Sequence, residues 1–145
     1  MQGLGFTDEI PEATAATITG EARALLAGHE PFDIEVGEVV VSDEAIALPA
    51  KPAAPVRGLR DSVRRAIGSV LGEDQVPENA ERYRPHVSLA YIAADGPALP
   101  YVEAVKAVED APAHVRVARV DLIEMHRDRR MYEWEVIASL PLGRK

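Results

Sequence analysis

The residues best suited to chemistry lie in the stretch 84–91, Arg-Pro-His-Val-Ser-Leu-Ala-Tyr, whose composition predicts a buried β-strand. Because side chains of a strand alternate between its two faces, His86 and Ser88 share one face, roughly 7 Å apart along the backbone. The opposite face, which we expect to enter the core, carries Val87, Leu89 and Tyr91. An imidazole and a hydroxyl buried without partners would cost about 1–3 kcal/mol. The pair therefore either meets protein partners or faces a cleft that holds a polar ligand.

Length, composition and charge limit the classes of function. The chain has 145 residues, no cysteine and a formal net charge of −8. This length suits one domain, 1–145, and the acidic charge argues against broad binding to duplex nucleic acid, which needs a basic surface. The sequence contains no apolar run of transmembrane length and no signal-peptide pattern, so we expect a cytoplasmic protein without membrane partners. The composition is typical of a bacterial proteome of high GC content.

Periodicity and turn residues predict an α+β domain with mostly antiparallel sheets and flanking helices. The first half is predicted to contain a strand end over 2–6, a helix that stops at Gly28, and strands over 32–36, 39–41 and 45–48. A proline-rich connector over 49–55, a helix over 56–71 and a polar loop over 73–81 then lead to the 84–91 strand. After it we predict a short helix over 99–108, a strand with a slip over 114–125, a charged turn over 126–130 and a final strand over 132–138. The 56–71 helix has an apolar stripe that consists of Val56, Leu59, Val63, Ile67, Val70 and Leu71. Its arginines are expected on its solvated face.

This order of elements, together with His-x-Ser-Leu after Arg-Pro, resembles the two-histidine (2H) phosphoesterases, which include the bacterial 2'-5' RNA ligase-like proteins and cyclic nucleotide phosphodiesterases. The resemblance extends from Gln2 to the C-terminus. It implies a bilobal fold in which each lobe supplies a strand bearing His-x-Thr or His-x-Ser, with the two strands facing each other across a cleft.

The resemblance also implies a reaction. The family opens, or in reverse closes, a phosphodiester by acid–base catalysis with two imidazoles, without a metal or cofactor. His86 would be the acid or base of the second motif, and Ser88 would donate a hydrogen bond to a phosphate oxygen. Arg84 either binds phosphate or pairs with a neighbouring glutamate. The implied substrate is a small nucleotide or an RNA 3' end.

The first histidine motif is not present before the first helix, where the sequence is Met-Gln-Gly-Leu-Gly-Phe. One explanation is that the chain begins late and lacks a strand-helix-strand portion. That would leave an exposed sheet edge, and a homodimer through this edge is then expected. The other is a natural variant that has lost half of the site. Three hypotheses follow: an enzyme, a nucleotide- or phosphate-binding module of the same fold, and a structural domain with a buried neutral His86.

The remaining candidates each have two interpretations. Tyr83, His126 and Arg130 would line the cleft if the family geometry holds; alternatively, His126 and Arg130 belong to a solvated turn. Tyr83, Tyr91 and Trp134 are candidates for stacking a base, although Tyr91 shares a predicted core face. We expect His29 to be structural at a helix end and His114 to lie on the surface. No pair of the four histidines has metal-ligand spacing, so no metal site is predicted.

Overall fold

The computed structural model describes residues 2–79, 81, 83–108, 111–129 and 131–143. Within these ranges the chain forms three α-helices and seven strands. In chain order they are α1 (Glu12–Leu26), β1 (Phe32–Val36), β2 (Val40–Val41), β3 (Ala45–Lys51), α2 (Ala53–Leu71), a short 3-10 helix (Glu73–Gln75), β4 (His86–Tyr91), α3 (Leu99–Lys106), β5 (Ala113–Val117), β6 (Arg119–His126) and β7 (Glu133–Pro141). The strand pairs are antiparallel, so the predicted α+β class is confirmed.

The strands form two sheets. In the larger one, β3 pairs with β4 along one edge and with β2 and β1 along the other, and β5 adds to β1. The smaller sheet is the hairpin of β6 and β7. In the described part of the chain β4 pairs only with β3, so its outer edge presents unpaired backbone groups. Association of two copies through this edge stays a prediction.

Helices α1 and α2 pack against each other and against the end of the β6–β7 hairpin at Leu140 and Leu142. The apolar stripe predicted for the second long helix supplies Leu59 to the core, where it meets Ala66 of the same helix, Leu26 of α1 and Leu140 of β7. These four side chains are all buried because the helices cover the end of the hairpin. Phe32 packs against this cluster and connects it to the larger sheet.

The proline-rich connector predicted over 49–55 is wrong. Strand β3 continues through Pro49 to Lys51, and α2 begins at Ala53. Pro55 lies in the first turn of α2, where a backbone N–H has no intrahelical acceptor, so the missing donor costs nothing there. Pro49 keeps its carbonyl available and accepts a hydrogen bond from Gly37 N at 3.4 Å.

Two other segments also differ from the prediction. The single strand over 114–125 is two strands that separate at Ala118, and the predicted slip is the point where the chain leaves the larger sheet for the hairpin. Residues 2–6 do not form a strand. Instead the Gln2 side-chain amide donates to Pro77 O at 2.9 Å, and Gly3 N donates to Glu78 Oε1 at 3.3 Å.

The strand predicted over 84–91 is present as β4 (His86–Tyr91), but its predicted burial is wrong. β4 lies at the edge of its sheet, and the side chains of Val87, Leu89 and Tyr91 are 50%, 57% and 60% exposed. A register shift between Ile46 and Ala47 leaves Leu89 as an extra residue, a β-bulge. Sequence alternation detects neither feature, because both depend on the partner strand. None of the helices in the described ranges is long and apolar enough to cross a membrane.

Candidate functional site

His86 is the first residue of β4, and its position is fixed by the backbone on either side. Ala50 N donates to Pro85 O at 3.0 Å, which ties the start of β4 to the end of β3. Pro85 is buried, whereas the His86 ring is exposed. Across the ladder His86 faces Pro49, whose ring offers no hydrogen-bonding group. The backbone is therefore anchored while the imidazole faces solvent.

One hydrogen bond determines which nitrogen of the His86 ring can exchange a proton. Nδ1 lies 2.7 Å from the carbonyl oxygen of Arg84. A carbonyl oxygen only accepts, so Nδ1 carries the hydrogen and donates it. The lone pair of the neutral ring is then on Nε2, which has no hydrogen-bond partner among the described residues. This is the arrangement that a general base needs, and the protonated ring can donate from the same atom.

Ser88 lies on the same face as His86, as predicted. Its partner on β3 is Ala47, whose methyl group cannot form a hydrogen bond with the hydroxyl. Ser88 is half-buried, and its Oγ forms no hydrogen bond within the described ranges. The predicted imidazole and hydroxyl pair thus lies together on an open sheet face with both functional atoms available to a ligand.

The bulge at Leu89 brings Tyr91 into phase with this face. Tyr91 pairs with Ala45, which alternates in step with Ala47 and Pro49, so its side chain projects on the side of His86. The Tyr91 ring contacts Tyr132 edge to face, with centroids 6.3 Å apart. The core position predicted for Tyr91 is therefore wrong, and its exposed ring remains a candidate for stacking a base.

A cavity of about 550 Å³ opens beside the start of β4. It is lined by Arg57, Glu81, Tyr83 and Arg84. Two of these, Tyr83 and Arg84, were predicted as site residues, and Arg57 on α2 was not. Tyr83 and Arg84 immediately precede β4, and Arg57 lies in the second turn of α2. They meet here because β3 ends beside the start of β4 and α2 begins directly after β3. His86 adjoins this cavity through Arg84 but is not among its lining residues.

A buried arginine, Arg60, contacts Tyr83 in the wall of the cavity. Arg60 is only 7% exposed; its guanidinium carbon lies 4.4 Å from the centroid of Tyr83, and its Nη2 pairs with Glu78 Oε2 at 3.0 Å. Burial raises the pKa of the Tyr83 phenol, and the nearby positive charge of Arg60 partly opposes that shift. The phenol therefore stays protonated at neutral pH and keeps its O–H available as a donor.

The burial of Arg60 corrects the expectation that the arginines of this helix are solvated. Its spacing contained the signal, because Arg60 lies four residues after Val56 and three before Val63 and so falls within the apolar stripe. An arginine at such a position is retained only if it finds partners. Here the partners are Tyr83 and Glu78, which both lie in the loop between the 3-10 helix and β4.

Comparison with known proteins identifies the family and the fold. The family model of the 2'-5' RNA ligase superfamily matches residues 1–129. The chain belongs to the 2'-5' RNA ligase superfamily. Among solved structures it is similar to the crystal structure of TT0787 of Thermus thermophilus, with a TM-score of 0.68 and 17% identity over 93% of this chain and 74% of that one. At this identity the likeness shows the fold. A search of curated proteins found no match.

The remaining candidate residues of this superfamily member do not lie at the start of β4. His126 ends β6, where Nδ1 is 3.5 Å from Asp128 Oδ2 and 3.9 Å from Glu133 Oε2. Arg130 lies outside the described residues. His29 forms a hydrogen bond with buried Ser62 at 2.8 Å, in agreement with a structural role, and His114 is exposed on β5. Within the described ranges, no group of three or more histidine or acidic side chains is placed to hold a metal ion.

Proposed function

We propose that this protein is a metal-independent phosphoesterase that opens, or in reverse forms, a cyclic phosphodiester at an RNA 3' end or on a related nucleotide. The observation that supports this best is the state of His86. Its Nδ1–H is held by Arg84 O at 2.7 Å, and Nε2 points from an exposed ring beside the free hydroxyl of Ser88. Superfamily membership supplies the class of reaction.

The reaction needs two proton transfers. Water attacks phosphorus and loses a proton, and the bond between phosphorus and one ribose oxygen breaks as that oxygen gains a proton. His86 Nε2 carries out one of these transfers, and Ser88 donates a hydrogen bond to a non-bridging phosphate oxygen as negative charge develops there. Because the sequence has one His-x-Ser motif, the other transfer falls to water in this chain. We therefore expect turnover about 10²–10⁴-fold below that of a protein with two such histidines.

The test is hydrolysis of adenosine 2',3'-cyclic phosphate, followed by ³¹P NMR. His86→Ala should abolish the measurable turnover. The matched control is His114→Ala, since His114 is also an exposed strand histidine but lies on β5. Unchanged turnover in His86→Ala would remove His86 from the mechanism.

The alternative is a binding module with the same site and no turnover. Saturable binding of adenosine 2'-monophosphate that His86→Ala weakens, without opening of the cyclic substrate by the wild type, would favour the module. Absence of both turnover and binding at millimolar ligand would contradict both functions.

A further inference from the structure

The cavity beside β4 contains arginines without ion-pair partners in a protein with excess negative charge. The chain has 24 acidic and 16 basic side chains. Four arginines pair with carboxylates, and these are Arg60, Arg116, Arg119 and Arg129. Arg57 and Arg84 line the cavity, yet neither forms an ion pair with a described residue. Other described arginines also lack a carboxylate partner, but at this cavity two guanidinium groups accompany one carboxylate, Glu81, so the lining is net positive and suits an anionic ligand.

The cavity is large enough for a ligand, and part of its wall is fixed by contacts within the protein. Its volume of about 550 Å³ lies within the range of about 300–1,000 Å³ that is usual for ligand sites. Tyr83 is held in place by the Arg60 guanidinium, which Glu78 fixes in turn. Arg84 is followed by buried Pro85, and its carbonyl accepts the His86 hydrogen bond. The Tyr83 ring and the Arg84 backbone are therefore held in place without a ligand, whereas the Arg57 and Arg84 side chains are exposed.

The position of the cavity relates it to the reacting phosphate. Arg84 precedes His86 by two residues, so their Cα atoms are at most about 7 Å apart. A phosphate at His86 and Ser88 and a second anion at Arg57 and Arg84 would lie on the same nucleotide or on neighbouring ones. A substrate with only the cyclic phosphate would leave the arginines unused.

We infer that the Arg57–Arg84 cavity binds a second phosphoryl group of the substrate. The preferred substrates are then RNA ends and nucleotides that carry a phosphate beyond the cyclic one, rather than mononucleotide cyclic phosphates. This inference rests on the proposed function. Both guanidinium groups and the protonated phenol of Tyr83 donate to the phosphate oxygens. Glu81 reduces the net charge of the cavity and accepts a hydrogen bond from a sugar hydroxyl of the ligand.

The test compares two product-like ligands, adenosine 2'-monophosphate and adenosine 2',5'-bisphosphate, by calorimetry on the whole chain. The wild type should bind the bisphosphate about 10–100-fold more tightly, because a charged hydrogen bond is worth that factor. Arg57→Ala should remove most of this preference and leave the affinity for the monophosphate within about twofold. Arg65→Ala is the control, since Arg65 is exposed on the same helix but does not line this cavity.

The variant Glu81→Gln should change the affinity for the bisphosphate in the opposite direction from Arg57→Ala. Removal of a negative charge from the cavity should tighten binding of the bisphosphate severalfold and raise its dependence on salt. A bisphosphate preference that is absent in the wild type, or a loss in Arg57→Ala that is equal for both ligands, would overturn the inference.

The outcomes separate the two proposals. If the cyclic substrate is opened but both ligands bind equally, the second phosphate site is wrong and the proposed function stands. If the preference depends on Arg57 while no cyclic substrate is opened, the enzyme is wrong and the anion site stands. If no cyclic substrate is opened and neither ligand binds at millimolar concentration, both are overturned.

Discussion

The β6–β7 hairpin and the start of β4 differ in how their polar side chains are partnered. On the β6–β7 hairpin several charged groups pair with one another. Arg119 Nε lies 3.1 Å from both carboxylate oxygens of Asp121, Ser139 Oγ donates to the same carboxylate at 2.6 Å, and Arg129 pairs with Glu133 at 3.2 Å. Around the start of β4 the functional atoms of Arg57, Arg84, His86 and Ser88 lack side-chain partners among the described residues.

This contrast distinguishes structural polar groups from functional ones. Paired groups have part of their hydrogen-bonding capacity satisfied within the fold, and exposed pairs of this kind contribute about 0–1 kcal/mol to stability. Unpaired groups on an anchored backbone contribute little to stability, and their hydrogen-bonding capacity remains for a substrate. Substitutions in the two regions should therefore change different measured quantities.

After the loss of turnover expected for His86→Ala, the next largest effect is expected at Ser88. Ser88→Ala removes the hydroxyl proposed to stabilise charge on the phosphate, and kcat for adenosine 2',3'-cyclic phosphate should fall about 10²–10³-fold. Ser88→Thr keeps the hydroxyl and should retain turnover within about tenfold of the wild type. The thermal midpoint should barely change, because Ser88 Oγ has no described partner to lose. Equal turnover in wild type and Ser88→Ala would remove Ser88 from the mechanism.

Arg60 should be the most costly arginine for stability. Arg60→Ala removes both the stacking on Tyr83 and the pair with Glu78, and we expect the free energy of unfolding to fall by about 2 kcal/mol. Urea denaturation followed by Trp134 fluorescence measures it. Arg65→Ala, on the exposed side of the same helix, should stay within about 0.5 kcal/mol of the wild type. Identical denaturation midpoints for the two variants would contradict the supporting role of Arg60.

Asp121 should show a pH-dependent effect on the hairpin. The hydrogen bond from Ser139 is the main cause that lowers the pKa of Asp121, and Arg119 lowers it further. A carboxyl whose pKa is lowered in the folded state stabilises the fold above its unfolded pKa, and this contribution is lost as pH falls through the folded pKa. Ser139→Ala should thus lower stability by about 1 kcal/mol near pH 7. The difference from the wild type should shrink below about pH 4, where Asp121 becomes protonated in the unfolded chain.

Thermal melting at pH 7 and at pH 3 tests this dependence. Ser139→Thr retains a hydroxyl and serves as the control. A destabilisation of Ser139→Ala that is the same at both values of pH would show that the Asp121 interaction is not its source.

The smallest effect on stability is expected at Arg57. Because its guanidinium has no described ion-pair partner and is exposed, Arg57→Ala should change the free energy of unfolding by less than about 0.5 kcal/mol. The same variant should lose the preference for a bisphosphate. A marked destabilisation would show that Arg57 has a structural partner, as Arg119 and Arg129 of the hairpin do.

Much of the site and of the fold could be predicted from local pattern. The period of two placed His86 and Ser88 on one face, and the apolar stripe of α2 identified a helix that packs on the core. Turn residues separated the elements in the correct order. These features depend on neighbouring residues alone, so the amino-acid sequence by itself determined them.

The tertiary structure decided what the pattern could not contain. Arg57 and Arg84 are far apart in the sequence and meet only because α2 begins where β3 lies beside β4. The bulge at Leu89 depends on the register with β3, and it places Tyr91 on the face of His86. Burial of Arg60 required a tyrosine and a glutamate from a distant loop. Each of these is a long-range contact, and its energy depends on two segments whose relative position no local periodicity specifies.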